Sequence, residues 1–149
     1  MKNLLIATIT VLAFAACQNS GQSGTDNTAS EPAATAGTSC YIRAEGPDTT
    51  FVNLTIAGDG TVSGTYDWVP YEKDSARGTL SGKQEGELIR VVYDYMIEGS
   101  HQQQEMVMKL TGGQLSEGEG ELEEGEGGLL KLKDPSNLVF RPFTKVACK

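Results

Sequence analysis

Apolar and polar residues alternate with a period of two along most of this chain after residue 38, and this pattern restricts the fold more than any other feature. Val52, Leu54 and Ile56 alternate with polar neighbours, and Met106 and Met108 do the same further along. No stretch keeps the spacing of an amphipathic helix for more than two turns. The pattern therefore predicts a domain built almost entirely of β-strands.

Short turns separate the predicted strands. Residues 58–60 and 112–113 are rich in glycine, which accepts positive φ, and Pro135 lies in a turn because it cannot donate to a ladder. We expect an all-β, antiparallel up-and-down meander of eight or nine strands. Such a meander most economically closes into a small barrel, because closure removes exposed edges, and a β-sandwich is the alternative.

A short apolar run at residues 4–16 follows Lys2 and ends at Cys17. A helix that spans a bilayer needs about 20 apolar residues, so the run is too short to cross a membrane. Small residues precede Cys17, as a signal peptidase requires. The sequence Phe-Ala-Ala-Cys at residues 14–17 resembles a bacterial lipobox, which implies a signal peptide over residues 1–16 and acyl chains such as palmitate on Cys17.

Residues 18–38 consist largely of Ser, Thr, Gly, Ala, Asn and Gln and contain no aromatic residue. Such a segment cannot bury enough apolar surface to offset the entropy of ordering it. We predict that residues 17–38 form the acylated cysteine and a disordered tether. Residues 39–149 then form one small domain.

Two cysteines, Cys40 and Cys148, bracket the predicted domain. Export would place both in an oxidising compartment, and with Cys17 acylated they are the only remaining pair. We predict a disulfide between them, and two buried thiols are the alternative. A disulfide here would tie the first strand to the last.

The chain is acidic, with a formal net charge of −8 at pH 7. This charge disfavours phosphate backbones, so nucleic acid is not expected as a partner, and we expect a monomer. Residues 117–126 contain six glutamates. They are interpreted as a solvated strand face, with a calcium site as the less favoured alternative, and no metal or other cofactor is predicted.

Gly118 and Gly120 fall on the inward side of their strand if Leu122 points inward. A strand without inward side chains leaves volume inside the domain. That volume is either a ligand cavity or space that aromatic side chains from the facing wall fill.

Three aromatic residues, Tyr66, Trp68 and Tyr71, lie close together near the end of one predicted strand, and Tyr93 lies on a later one. Exposed aromatic residues can form a recognition surface, although in an all-β domain most of them lie in the core. The candidate ligand or partner contacts are Tyr66, Trp68, Tyr71 and Tyr93.

Enzymatic activity is not expected, and no residue is assigned a catalytic role. His101 is the only histidine, which excludes a zinc site with several histidines. The chain contains no nucleophile elbow, phosphate loop or dinucleotide-binding fingerprint. A hydrolase that uses two of the many carboxylates remains the enzymatic alternative.

The lipobox, the tether, residues 72–74, residues 78–82 and the near-terminal Cys148 together resemble small Bacteroidota lipoproteins. Thr49 and Ser75 lie in tripeptides similar to the O-glycosylation acceptor pattern of that group, which makes them candidate modification sites. The meander is also similar to calycin-type barrels, although the chain lacks their Gly-x-Trp signature. Members of that class hold apolar ligands or bind proteins.

The resemblance to these lipoproteins implies no particular function, and the likeness to calycin-type barrels concerns the fold pattern alone. The function that we expect is that of a non-enzymatic, lipid-anchored binding protein of the bacterial cell envelope. Residues 18–20 lack an acidic cluster of the kind that directs surface export, so we expect the outer membrane, facing the periplasm. The covalent lipid would provide the membrane contact, and the partner would be a small apolar ligand or an envelope protein. The alternative is an inhibitor of a basic enzyme such as lysozyme, which an acidic surface would suit.

Replacing the predicted lipid acceptor tests the anchor. In a bacterial host, Cys17→Ser should move the protein from the membrane fraction to the soluble fraction and remove the acyl mass. The reason is that Cys17 is the predicted attachment site of the acyl chains, and stable anchoring needs more than one such chain. Cell fractionation and intact mass spectrometry measure both changes, with Ser20→Ala as the control. A Cys17→Ser protein that stays in the membrane fraction would contradict the prediction.

Overall fold

The computed structural model describes residues 37–149 and shows an all-β domain of eleven short strands and one 3-10 helical turn. The strands are β1 Gly37–Glu45, β2 Asp48–Ile56, β3 Thr61–Val69, β4 Ala76–Glu85, β5 Leu88–Ile97, β6 Ser100–Thr111, β7 Gln114–Glu119, β8 Leu122–Glu124, β9 Leu130–Leu132, β10 Val139–Pro142 and β11 Thr144–Val146. The helical turn is Glu126–Gly128. Within residues 37–149, no helix is long and apolar enough to cross a membrane.

The first seven strands form a continuous antiparallel meander in which each strand pairs with the next. The hairpin between β2 and β3 follows the predicted turn. There the Asp59 carboxylate accepts hydrogen bonds from the backbone N–H and the hydroxyl of Thr61, and these bonds lower the pKa of Asp59 to about 2. Burial along β2 and β5 alternates as the sequence predicts, since Val52 and Leu54 on β2 and Tyr93 on β5 are buried between more exposed neighbours.

The last two strands, β10 and β11, lie at opposite ends of the strand order. β10 pairs with β7, and β11 pairs with β1. Phe143 lies between these two strands, and its backbone N–H donates a 2.8 Å hydrogen bond to the carbonyl of Leu115. One continuous segment thus contacts both ends of the meander.

The predicted strand count needs correction. The structure has eleven strands rather than eight or nine, because the chain leaves the meander after Glu119. There β8 pairs with β9, and β9 makes a single parallel pairing with β6, so the sheet is mixed.

The core is formed by inward side chains of β1 to β7 together with Phe143. Val52, Val62, Ile89, Met108 and Leu115 are completely buried. These residues come from five different strands, so no single hairpin forms the core alone. Burial of this apolar surface is the main stabilising contribution to the fold.

Cys40 and Cys148 form the disulfide that the sequence predicts, with their Cα atoms 5.2 Å apart. Cys40 lies in β1 and is buried, whereas Cys148 follows β11, the strand that pairs with β1. The bond therefore covalently ties the segment after β11 to β1, the strand with which β11 pairs.

Removing the disulfide should destabilise the domain. A Cys40→Ser/Cys148→Ser variant should lose about 2–5 kcal/mol in free energy of unfolding, because the unfolded chain is no longer constrained by a long closed loop. Urea denaturation measures the loss. Reducing agent should lower the unfolding midpoint of the wild type but leave that of the double variant unchanged. Equal midpoints for the wild type and the double variant would contradict the prediction.

Candidate ligand-binding cleft

An open cavity of about 370 Å³, here called the aromatic cleft, lies at one end of the inner face of the sheet. It combines aromatic, aliphatic and charged side chains from six of the strands. The lining residues are Arg43, Glu45, Tyr66, Trp68, Ala76, Tyr93, Tyr95, Ile97, Gln104, Met106, Glu117 and Glu119.

Small residues on β4 make room for the aromatic wall of the cleft. Gly78 lies in register between Tyr66 on β3 and Tyr95 on β5, and Ala76 is opposite Trp68. A Cβ atom at position 78 would lie 2.6 Å from the Cα of Tyr95, which is closer than real Cβ contacts come. Glycine at this position therefore allows the aromatic strands to approach each other across β4.

The tyrosines of the cleft pack against one another. The rings of Tyr93 and Tyr95 are stacked with centroids 4.3 Å apart, and the ring of Tyr66 is tilted against that of Tyr93 at 4.9 Å. Both spacings fall near or within the range in which aromatic pairs attract each other. Trp68 is only partly buried, so part of its indole remains accessible at the cleft.

A buried ion pair forms the floor of the cleft. The Arg43 guanidinium donates from Nη2 to Oε2 of Glu117 at 2.8 Å, and the Tyr66 hydroxyl donates to the same oxygen at 2.9 Å. The side chains of Arg43 and Glu117 are only 10% and 11% exposed. The Arg43 guanidinium also lies 4.5 Å from the ring centroid of Phe143, a cation–π contact. These contacts bring β1, β3, β7 and the segment before β11 together.

A second arginine completes a charge network at the rim. Arg141 on β10 pairs with both Glu45 and Glu119, whose side chains are about half exposed. Arg43 also lies 3.6 Å from Glu45 and 4.0 Å from Glu119. Three carboxylates and two guanidinium groups therefore share this end of the cleft.

Three buried polar atoms at the cleft have no hydrogen-bond partner among the described residues. They are Nε and Nη1 of Arg43 and the hydroxyl of Tyr93. Tyr93 is 4% exposed, and its hydroxyl is buried at the edge of the cleft that its side chain lines. Buried polar groups in folded proteins are almost always paired, so each of these atoms calls for a partner.

The environment of the cleft shifts the pKa of its ionisable groups. Burial raises the pKa of Glu117, and the Arg43 guanidinium and the Tyr66 hydroxyl oppose that rise without reversing it. Burial raises the pKa of Tyr93 too, and burial together with the Glu117 carboxylate raises that of Tyr66. Both tyrosines are therefore neutral hydroxyl groups at physiological pH.

The predicted parity of β7 was wrong. Leu122 is exposed, and the buried residues that define the inward side are Leu115 and Glu117. Gly118 and Gly120 instead face Leu138, whose side chain would lie within 3 Å of a Cβ atom at either position. The interior volume thus comes from β4, and Glu117 is a core carboxylate rather than part of a solvated face.

Three of the four predicted contact residues meet at one site. Tyr66, Trp68 and Tyr93 line the aromatic cleft, whereas Tyr71 does not and is 73% exposed. Tyr71 borders a neighbouring surface depression that shares Trp68 and Ile97 with the cleft. It follows the end of β3, where the chain turns away from the inner face.

The other predicted site residues lie elsewhere. His101 is exposed on β6 and pairs with Asp94, and the hydrogen bonds from Gln103 and His101 lower the pKa of Asp94. Thr49 lies in β2 and Ser75 precedes β4, and both residues are half-buried. Their glycosylation stays a prediction. Cys17, with the signal peptide and most of the tether, lies outside the described residues. Within residues 37–149, no three His, Cys, Asp or Glu side chains group closely enough to hold a metal ion.

Comparison with known proteins adds no assignment. No family model, curated protein or solved structure matches the chain. The resemblance to Bacteroidota lipoproteins and to calycin-type barrels therefore stays a prediction.

Sequence reasoning missed Arg43, Tyr95, Gln104, Glu117 and Glu119 as parts of the site. A signal for the ion pair was present, because Arg43 shares inward parity with Tyr41, and Glu117 shares it with Leu115. An inward arginine on one strand and an inward glutamate on another need each other, since neither can be buried alone. Tyr95 shares inward parity with Tyr93 on β5, so the same alternation pointed to it as well.

Glu117 should make the stability of the domain depend on pH. Its pKa is raised above the ordinary value of 4.5 in the folded protein, so the native state binds more protons than the unfolded state above that pH. Its contribution to the free energy of unfolding is therefore complete below about pH 4.5 and decreases as the pH rises through the folded pKa.

Urea denaturation of the wild type and Glu117→Gln from pH 4 to pH 8 isolates this contribution, because the variant cannot titrate at this position. The free energy of unfolding of the wild type, relative to that of the variant, should decrease as the pH rises. A relative stability that increases with pH would mean that Arg43 lowers the pKa of Glu117 in the folded protein, and would contradict the account.

Proposed function

We propose that this protein is a non-enzymatic binding protein and that the aromatic cleft is its ligand site. The observation that carries the proposal is the combination of an open aromatic wall with buried polar atoms that lack partners. Ligand sites typically join apolar and aromatic walls with a few fixed polar groups. Here Trp68 and the stacked tyrosines form the wall, and Arg43 with Glu117 provides the fixed polar group.

The ordered floor of the cleft supports binding by a preformed site. Tyr66 and Arg43 are held by the same carboxylate oxygen, so neither side chain has to be ordered when a ligand arrives. Binding costs less when the contacting side chains already have their bound conformation. The partly buried Trp68 leaves one aromatic face to complete the site.

We also propose that the sheet closes into a small barrel. The consecutive strands β10 and β11 pair with the two ends of the meander, and a hydrogen bond from Phe143 to Leu115 connects them. The ion pair between Arg43 on β1 and Glu117 on β7 joins the same two ends across the inner face. The aromatic cleft would then lie at one opening of the barrel.

We also propose a place of action, which rests on the sequence alone. The lipobox-like sequence at residues 14–17 supports a lipid anchor at Cys17, and the predicted tether would hold the domain on the periplasmic side of an outer membrane. The disulfide between Cys40 and Cys148 is consistent with an oxidising compartment. Inhibition of a basic enzyme stays a prediction from net charge, since among residues 37–149 no feature points to a basic partner more than to a small ligand.

Filling the cleft tests the proposed site. N-phenyl-1-naphthylamine, an uncharged aromatic probe, should bind the wild type saturably and quench Trp68, the only tryptophan, because this residue lines the cleft. Ala76→Leu should weaken probe binding at least tenfold, since the added side chain projects from β4 into the cleft. Fluorescence titration gives both affinities.

Thr79→Leu is the matched control, because it adds a leucine to the same strand at an exposed position. This variant should bind the probe as the wild type does. Circular dichroism shows whether each variant keeps its strands. If the wild type does not bind, or if folded Ala76→Leu binds the probe as well as Thr79→Leu, the cleft is not the site.

A further inference from the structure

The polar groups that lack partners indicate what kind of ligand the cleft takes. Resting on the proposed function, we propose that the ligand is an uncharged molecule that presents an oxygen acceptor, such as a carbonyl, to Arg43 and Tyr93. Its apolar ring or chain packs against the aromatic wall. An acidic ligand, which a buried arginine would ordinarily suggest, does not fit this site.

The unpaired atoms define the missing partner as a hydrogen-bond acceptor. Nε and Nη1 of Arg43 are donors only, because a guanidinium group has no acceptor atom. The Tyr93 hydroxyl can donate as well, and its raised pKa keeps the proton on the oxygen. An oxygen atom has two lone pairs and can accept two hydrogen bonds, so a single ligand oxygen matches two donors of this kind.

The charge balance of the cleft disfavours an anionic ligand. Arg43 already has a carboxylate partner in Glu117 at 2.8 Å, and Glu119 lies 4.0 Å from it. The rim adds Glu45, so three carboxylates face the two guanidinium groups of Arg43 and Arg141. A further negative charge would enter a site that already has more negative than positive groups, and it would be repelled by them.

A cationic ligand fails for a different reason. It would leave Nη1 of Arg43 without an acceptor and would place a further positive charge beside a guanidinium group whose side chain is 90% buried. A neutral acceptor pairs with these N–H groups and adds no charge. It thereby removes the cost of leaving buried donors unpaired.

Three compounds with one ring system test the ligand class. They are 2-(dimethylamino)naphthalene, which lacks an oxygen acceptor, its 6-propionyl derivative, which has a neutral ketone, and its 6-carboxylate, which is an anion at pH 7. Quenching of Trp68 gives each dissociation constant on the full-length protein. The ketone should bind roughly three- to tenfold more tightly than the parent amine, as expected for one added hydrogen bond, and more tightly than the carboxylate.

Tyr93→Phe tests the contact itself. The variant removes a hydroxyl that has no hydrogen-bond partner in the described part of the chain and keeps the ring, so it should remain folded. It should bind the parent amine as the wild type does. The ratio of the amine's dissociation constant to that of the ketone should fall to half of the wild-type ratio or less. Tyr71→Phe is the matched control, since it removes the same atom outside the cleft, and it should bind all three compounds as the wild type does.

The outcomes separate this inference from the proposed function. If the carboxylate binds most tightly, or if the ketone gains nothing over the amine, the inference is wrong while the cleft remains a binding site. If the Tyr93→Phe protein keeps the full preference for the ketone, the Tyr93 hydroxyl does not contact the ligand oxygen, and the inference is wrong on that point. If none of the compounds binds the wild type, both the inference and the proposed function fail.

Discussion

The buried ion pair between Arg43 and Glu117 is the contact on which the rest of the structure depends. It joins β1 to β7 over 74 positions of sequence, although these strands are not neighbours in the sheet. Burying either charge alone would cost several kcal/mol, so each side chain requires the other. Because Tyr66 and Phe143 contact the same pair, this interaction also sets the floor of the aromatic cleft.

The cleft forms because neighbouring strands carry inward side chains of different size. The inward positions of β4 next to the aromatic wall hold Ala76 and Gly78, while β3 and β5 carry large aromatic residues on both sides. The aromatic rings therefore approach each other above a strand that fills little space. The same arrangement leaves the Tyr93 hydroxyl buried and without a partner among residues 37–149, which is where the proposed ligand would make its polar contact.

The sequence allowed much of this fold to be predicted, because period-two alternation decides which residues of a strand are buried. The inward positions of β2, β3 and β5 and the pairing of Cys40 with Cys148 follow from local pattern and from cysteine count. The ion pair could not be predicted with the same ease, because it depends on how distant strands meet across the inner face. The parity of β7 was wrong because it was set by Leu122, which lies beyond the point where the chain leaves the meander.

A double-mutant cycle on Arg43 and Glu117 tests most directly whether this pair organises the domain. The free energies of unfolding of the wild type, Arg43→Met, Glu117→Leu and the double variant give the coupling energy between the two side chains. Each single variant should lose about 3–5 kcal/mol, because it leaves a buried charge unpaired, and the double variant should lose clearly less than the sum. Losses that simply add would show that the two side chains act independently, and would contradict the account.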